Sequence, residues 1–234
     1  MVFGLVSGLK QTQGEGNPEV DMKLLMPSPF RNVPQVPTQV LMPNRDCFPV
    51  VLNEMKLLGE GVEVGVKLGE YSHVLLTGWK GRKLFSVDPW REFPGGQYVD
   101  LANVQQKIQD AYYKKTCQTL ATFGERSVIL RQTSVEAAVT FSPGSLDFVY
   151  LDAQHHYEAV KEDILRWWPL VKKEGILAGH DYIPDGLYLA GEFGVIRAVN
   201  EFAYSEGLKL FISEEKLEPP NLGYASWFVF KTGG

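Results

Sequence analysis

The apolar positions of this chain fall into short blocks bounded by glycine, proline or charge, and two periods alternate along it. Brief valine-rich or aromatic runs at 61–66, 83–88, 127–131, 146–152 and 176–179 have the continuous apolar character of strands buried on both faces. Between them, helical spacing predicts helices over 70–79, about 101–123, a stretch carrying Ala137, Ala138 and Phe141, and a stretch through Val160, Ile164, Leu165 and Trp168 that Pro169 ends or kinks. On that last helix Lys161, Glu162, Asp163 and Arg166 are expected to form a solvated face. A further helix is expected over 194–204, with Val195, Ile196, Val199 and Phe202 inward. The strand–helix alternation predicts a parallel α/β sheet. Two final strands, 208–213 and 225–231, are separated by Pro219-Pro220-Asn221 without a helix, which predicts an antiparallel pair at the sheet's end.

The start of the chain breaks this rhythm. Pro27, Pro29, Pro34, Pro37 and Pro43 are too closely spaced for a helix or a central strand, so residues 1–44 are expected to be an arm and 45–234 the folded domain. Leu24, Leu25, Met26, Phe30, Val33 and Val40 make that arm apolar enough to lie on the body or on a second subunit, as in a homodimer. Residues 45–58 then have Phe48, Val51, Leu52, Met55 and Leu58 at helical spacing.

Composition narrows the classes. A chain of 234 residues with 44% hydrophobic content can bury one full core. A formal net charge of −5, with lysines and arginines scattered, gives no footprint for a phosphate backbone, so nucleic acid is not an expected partner. Cys47 and Cys117 are too few for a disulfide framework. No apolar run approaches the roughly 18 residues of a membrane span, and residues 1–10 lack the pattern of a secretory signal. The expectation is a cytoplasmic protein with no membrane partner.

Chemistry concentrates at strand ends. Gly65 and Gly69 mark a turn from the first strand into a helix, where backbone can approach a ligand closely and free N–H groups face it. Asp88 ends the second strand at the spacing of an acid that accepts ribose hydroxyls, or it caps a turn. Pro89-Trp90 follows, a rigid corner with a ring available to stack on a base. Ser134, beyond the third strand, suits the edge of an adenine or a helix cap. Asp152 ends the fourth strand, His155 lies three residues on across a turn, and His180-Asp181 ends the fifth. Asp152 can orient the His155 imidazole as an acid–base group. Asp152, His180 and Asp181 together offer two carboxylates and an imidazole to a divalent cation such as Mg²⁺.

Taken together, the E-x-G-x-x-x-G of Glu63, Gly65 and Gly69, the strand-end Asp88, the D-x-x-H of Asp152 and His155, and the G-H-D-Y of residues 179–182 resemble class I S-adenosylmethionine-dependent methyltransferases. The stretches LDFVYLDAQHHYEAVKEDI and GILAGHDY are most similar to the small-molecule O-methyltransferase branch, including metal-assisted sugar methyltransferases. The resemblance implies a Rossmann-like, mostly parallel sheet of seven strands in the order 3-2-1-4-5-7-6. It implies S-adenosyl-L-methionine held by Glu63, Gly65, Gly69, Ser72, Asp88 and Ser134, with a small-molecule hydroxyl as acceptor. His155 would be the base, and Asp152 with His180 and Asp181 would hold the ion. His180-Asp181 departs from the two oxygen-bearing side chains common at that place in metal-dependent relatives. Two alternatives stand beside this. A NAD-dependent oxidoreductase has Lys67 and a missing third glycine against it, and a non-catalytic cofactor-binding protein has the retained Asp152, His155 and Asp181 against it.

Overall fold

The structure, a computed structural model, describes residues 24–27, 33–93, 95, 100–214, 217–218, 221–222 and 224–232. Residues 1–10, Phe30, residues 96–99 and Pro219-Pro220 lie outside the described residues, and so do the expectations attached to them.

In chain order the elements are β1 (Leu24–Pro27), β2 (Thr38–Met42), α1 (Phe48–Glu54), β3 (Glu60–Val64), α2 (Glu70–Gly78), β4 (Lys83–Val87) and α3 (Gln106–Leu120). There follow β5 (Ser127–Leu130), α4 (Ser134–Ala138), β6 (Leu146–Leu151), α5 (Tyr157–Trp167), β7 (Val171–Gly179), β8 (Gly186–Tyr188), β9 (Gly191–Phe193) and α6 (Val195–Ser205). The chain finishes with β10 (Leu210–Ser213), the short pair β11 (Leu217–Glu218) and β12 (Asn221–Leu222), and β13 (Trp227–Phe230).

The central sheet runs β2-β10-β13-β7-β6-β3-β4-β5. The seven strands expected from sequence stand in the expected order, and β13 is antiparallel to both β7 and β10. The count is a correction: β2, from the proline-bearing segment, adds an eighth strand by pairing parallel with β10. A separate three-stranded sheet, β1-β8-β9, stands where a bare glycine loop was expected. The fifth expected strand also begins earlier, at Val171, because Glu174 takes a positive φ of 63° and lets the chain continue through Lys172 and Lys173. Conversely, the helix expected from about 101 starts only at Gln106, after hydrogen-bonded turns at Asp100–Asn103.

β6 is buried at every position, and its alternation divides the core in two. Val149 and Leu151 pack on one face with Val62, Leu177, Trp167 and Trp227, beneath α4, α5 and α6. Phe148 and Tyr150 pack on the other with Phe48, Leu52, Leu75, Trp79 and Phe228, beneath α1 and α2. With helices on both faces, the parallel strands can only present ligand groups beyond their carboxyl ends. No helix among the described residues is long and apolar enough to cross a membrane.

Candidate functional site

The turn after β3 is built by close approach. Gly65 has φ of 90°, and a Cβ there would fall 1.9 Å from the Asp152 carbonyl oxygen, so only glycine lets the β3 and β6 ends meet. Gly69, with φ of 77°, is the N-cap of α2. Glu63, on β3 two residues before Gly65, is buried and accepts a hydrogen bond from the Ser72 hydroxyl, itself 2.9 Å from Ser86 Oγ. Burial pushes the Glu63 carboxyl up to about 8, with the hydrogen bond from Ser72 opposing.

Asp88 ties this turn to β4. Its Oδ2 accepts from the Val66 and Lys67 N–H groups at 2.9 and 3.0 Å, and its Oδ1 from the Trp90 N–H at 2.7 Å. Three of the roughly four lone-pair sites of a carboxylate are used, so this arrangement leaves room for one ribose hydroxyl rather than two. Trp90 corrects its expectation more fully. It is completely buried, its indole N–H donates to the Lys67 carbonyl at 2.8 Å, and its ring packs on Tyr113 at 5.0 Å. It braces the glycine turn from behind and has no free face for a base.

Beyond β5, Thr133 rather than Ser134 caps α4, in a reciprocal capping box with Glu136. Ser134 instead accepts from the Trp167 indole at 2.8 Å and donates to the Asp163 carboxylate. Asp163, expected on a solvated face, is buried, and burial raises its carboxyl to about 6.

The ends of β6 and β7 bring the remaining groups together. His155 lies between two carboxylates, with Nδ1 2.9 Å from Asp100 Oδ2 and Nε2 2.9 Å from Asp181 Oδ2. Its ring stacks on Phe193 of β9 at 4.6 Å and 3°. Burial opposes a charge on this imidazole, but Asp181 and Asp100 outweigh it and hold its pKa well above the ordinary value. Asp181 is drawn well below the carboxylate range: burial works the other way, and His180 and His155 overcome it. Asp152 does not orient His155 as expected. Its Oδ2 pairs with Arg45 at 3.0 Å, and its Oδ1 lies 3.7 Å from His180 Nδ1.

A cleft of about 530 Å³ joins these parts, within the range of small-molecule pockets. Its wall contains Glu63, Gly65, Asp88, Ser134, Asp152, His155 and Asp181. Gly69, Ser72, Trp90 and His180 are not in that wall; the first three shape it from behind, and His180 faces a void of about 10 Å³ on the far side of Asp152. The cation set is corrected in the same way. The ligand atoms that lie within 4.8 Å of one another belong to Asp152, His155 and Asp181, with His155 in the place expected of His180. Two carboxylates and one imidazole suit a hard or borderline divalent ion.

Arg45 and Asp100 were not foreseen. Arg45 reaches the cleft from the turn before α1, with its guanidinium 4.6 Å over the Tyr71 ring. Asp100 is bridged to Gly191 at the β8–β9 turn. Each is distant in sequence from its partner, and neither has a motif to mark it.

The sequence matches the family model described as "Methyltransferase domain" over residues 62–182, just over half of the chain. No curated protein matches it. Among solved structures it is similar to an O-methyltransferase from Bacillus cereus in complex with SAH, at 11% identity and TM-score 0.55, covering 84% of each chain. It is similar to the O-methyltransferase TomG of Streptomyces achromogenes, involved in tomaymycin synthesis and solved with SAM, at 13% identity and TM-score 0.53, covering 81% of this chain and 80% of that one. A third is the Burkholderia thailandensis 1,6-didemethyltoxoflavin-N1-methyltransferase with bound 1,6-didemethyltoxoflavin and S-adenosylhomocysteine, at 15% identity and TM-score 0.53, covering 81% of this chain and 78% of that one. At these identities the likeness is one of fold.

Proposed function

Because this chain belongs to the methyltransferase-domain family, we propose that it transfers the methyl group of S-adenosyl-L-methionine to a hydroxyl of a small molecule. With the family shown, the nicotinamide-dependent alternative lapses. The observation that carries the reading is the meeting, in one cleft, of the Gly65 turn, Asp88 and the Asp100–His155–Asp181 cluster. The turn and Asp88 suit a nucleoside with a charged amino-acid tail. The histidine suits removal of a proton from the attacking group.

In this reading His155 is the base and Asp100 fixes its ring through Nδ1. An acceptor hydroxyl that replaces Asp181 at Nε2 passes its proton there while its oxygen attacks the sulfonium methyl in line, and the neutral thioether leaves. Since the flanking carboxylates favour the imidazolium, the working neutral form accumulates on the alkaline side. The rate is therefore expected to climb above neutrality rather than level off near 6.5. The β8–β9 hairpin carries Phe193 against the ring and helps to exclude water.

A second reading has its own observation, the convergence of Asp152, His155 and Asp181. A divalent cation held by these three would supply Lewis acidity to the acceptor oxygen. His155 is then a ligand and not the base.

A methyl-transfer screen over sugar, phenol and other hydroxyl acceptors, with and without chelator, tests both. Activity that survives chelation and falls at least about 100-fold in His155→Ala, with S-adenosylhomocysteine affinity within about threefold, supports the base. Activity abolished by chelator and restored by Mg²⁺ or Mn²⁺ favours the cation. Full activity in His155→Ala removes both roles.

A further inference from the structure

The turn at Asp100–Asn103 stands beside the His155 imidazole, since the Asp100 carboxylate is the group that meets Nδ1. Its backbone is pinned from several directions. The Leu101 N–H donates to the Ala190 carbonyl between β8 and β9, the Ala102 N–H to Asp100 Oδ1 at 2.7 Å, and the Asn103 N–H to the Asp100 carbonyl. The Ala102 carbonyl in turn accepts from the Gln109 amide at 2.9 Å. The Asn103 side chain is spent as well: its oxygen accepts from the Phe93 N–H at 2.9 Å and its amide donates to the Phe93 carbonyl at 2.8 Å. Phe93 is thereby fixed to the same unit.

What this unit leaves for a ligand is apolar. Leu101 is 50% exposed, Phe93 is half-buried, and both form part of the cleft wall together with Ala102. A lone exposed leucine is ordinary on an outer surface. This one is held in a concave site, one residue from the group that fixes His155, where a bound ligand would take it out of water.

The polar groups nearby set a second limit. Gln154 also lines the cleft, and its amide makes no hydrogen bond among the described residues, so it can meet one polar substituent. A sugar carries a hydroxyl on nearly every ring carbon, and those turned toward Leu101 and Phe93 would lose water without gaining a partner. Resting on the reading of this cleft as a site of methyl transfer to a hydroxyl, we propose that Leu101 selects the acceptor. The acceptor is a hydroxyl on an apolar carbon body, of which an alkyl-substituted phenol is the simplest form. That body lies against Leu101 and Phe93 with its hydroxyl turned to His155.

Calorimetry on the protein saturated with S-adenosylhomocysteine tests this without requiring turnover. The probes are 3- and 4-alkylphenols with chains of one to four carbons, and methyl α-D-glucopyranoside. In the better of the two phenol series each added methylene should tighten binding about two- to fourfold, and the glucoside should bind at least about tenfold more weakly than the butylphenol. Leu101→Ser should flatten the chain-length dependence to below about 1.5-fold per carbon and leave S-adenosylhomocysteine affinity within about twofold. Leu101→Met keeps an apolar side chain of similar size and should retain the dependence. A flat series in the wild-type protein, or a glucoside that binds as tightly as butylphenol, overturns the inference and leaves the methyl-transfer reading intact. An unchanged series in Leu101→Ser overturns it too. Wild-type protein that does not bind S-adenosylhomocysteine overturns the methyl-transfer reading, and this inference with it.

Discussion

At the scale of single residues the site is governed by which carboxylates are buried and what they face. Glu63 is an acid whose folded-state pKa, about 8, lies above its unfolded value near 4.3. Its contribution to stability is complete below the unfolded value and is lost as pH rises through 8. Urea unfolding of the ligand-free protein should therefore show stability declining from pH 5 to pH 9. Glu63→Gln should flatten that decline and stabilise the protein at pH 9 by a few kcal/mol, on the order of ~3. Gly65→Ala should act oppositely, since its methyl would meet the Asp152 carbonyl at 1.9 Å on a backbone of positive φ. A loss of about 3 kcal/mol or more is expected in the same assay. Gly65 was legible in the sequence, because a glycine between a valine strand and a helix has few other reasons to be there. Arg45, Asp100 and the burial of Asp163 were not, since each depends on a partner far along the chain: Arg45 meets Asp152, Asp100 meets His155, and Asp163 meets Ser134.

At the scale of elements, the five parallel strands were readable because strands buried on both faces are mostly apolar rather than alternating, as β6 is apart from Asp147. The three-residue strands β8 and β9 leave no such run: Gly186-Leu187-Tyr188 and Gly191-Glu192-Phe193 look like loop, and only their pairing with each other and with β1 makes them a sheet. That small sheet is the element most exposed to test. Phe193 stacks on His155 and Asp100 bridges to Gly191, so the hairpin holds the His155 imidazole from two sides. Removing residues 1–27 takes β1 away and leaves one edge of β8 unpaired. The acceptor KM is expected to rise about fivefold or more, while the affinity for S-adenosylhomocysteine, measured by calorimetry, stays within about twofold. Phe193→Ala should lower kcat about tenfold by the same route, with cofactor affinity again unchanged.

At the scale of the whole molecule, charge and connectivity matter most. Among the described residues, eight Asp or Glu side chains line the cleft, Glu63 protonated near neutrality, against three lysine or arginine side chains and the His155 imidazolium, so acidic groups remain in excess. A sulfonium cation is drawn into such a field more strongly than the neutral thioether it becomes, which favours exchange of spent cofactor for fresh. Raising sodium chloride from about 50 to about 500 mM should therefore weaken binding of S-adenosylmethionine roughly threefold more than that of S-adenosylhomocysteine, as read by parallel titrations. Connectivity has a different outcome. The edge strand β2 takes its hydrogen bonds from β10, with Thr38 beside Leu210 and Val40 beside Ile212. During synthesis an early segment must therefore wait while some 170 further residues emerge before its neighbour exists. Until then its peptide groups are open to any passing extended chain, so a growing polypeptide stalled between the two would be the form most prone to aggregate on the ribosome.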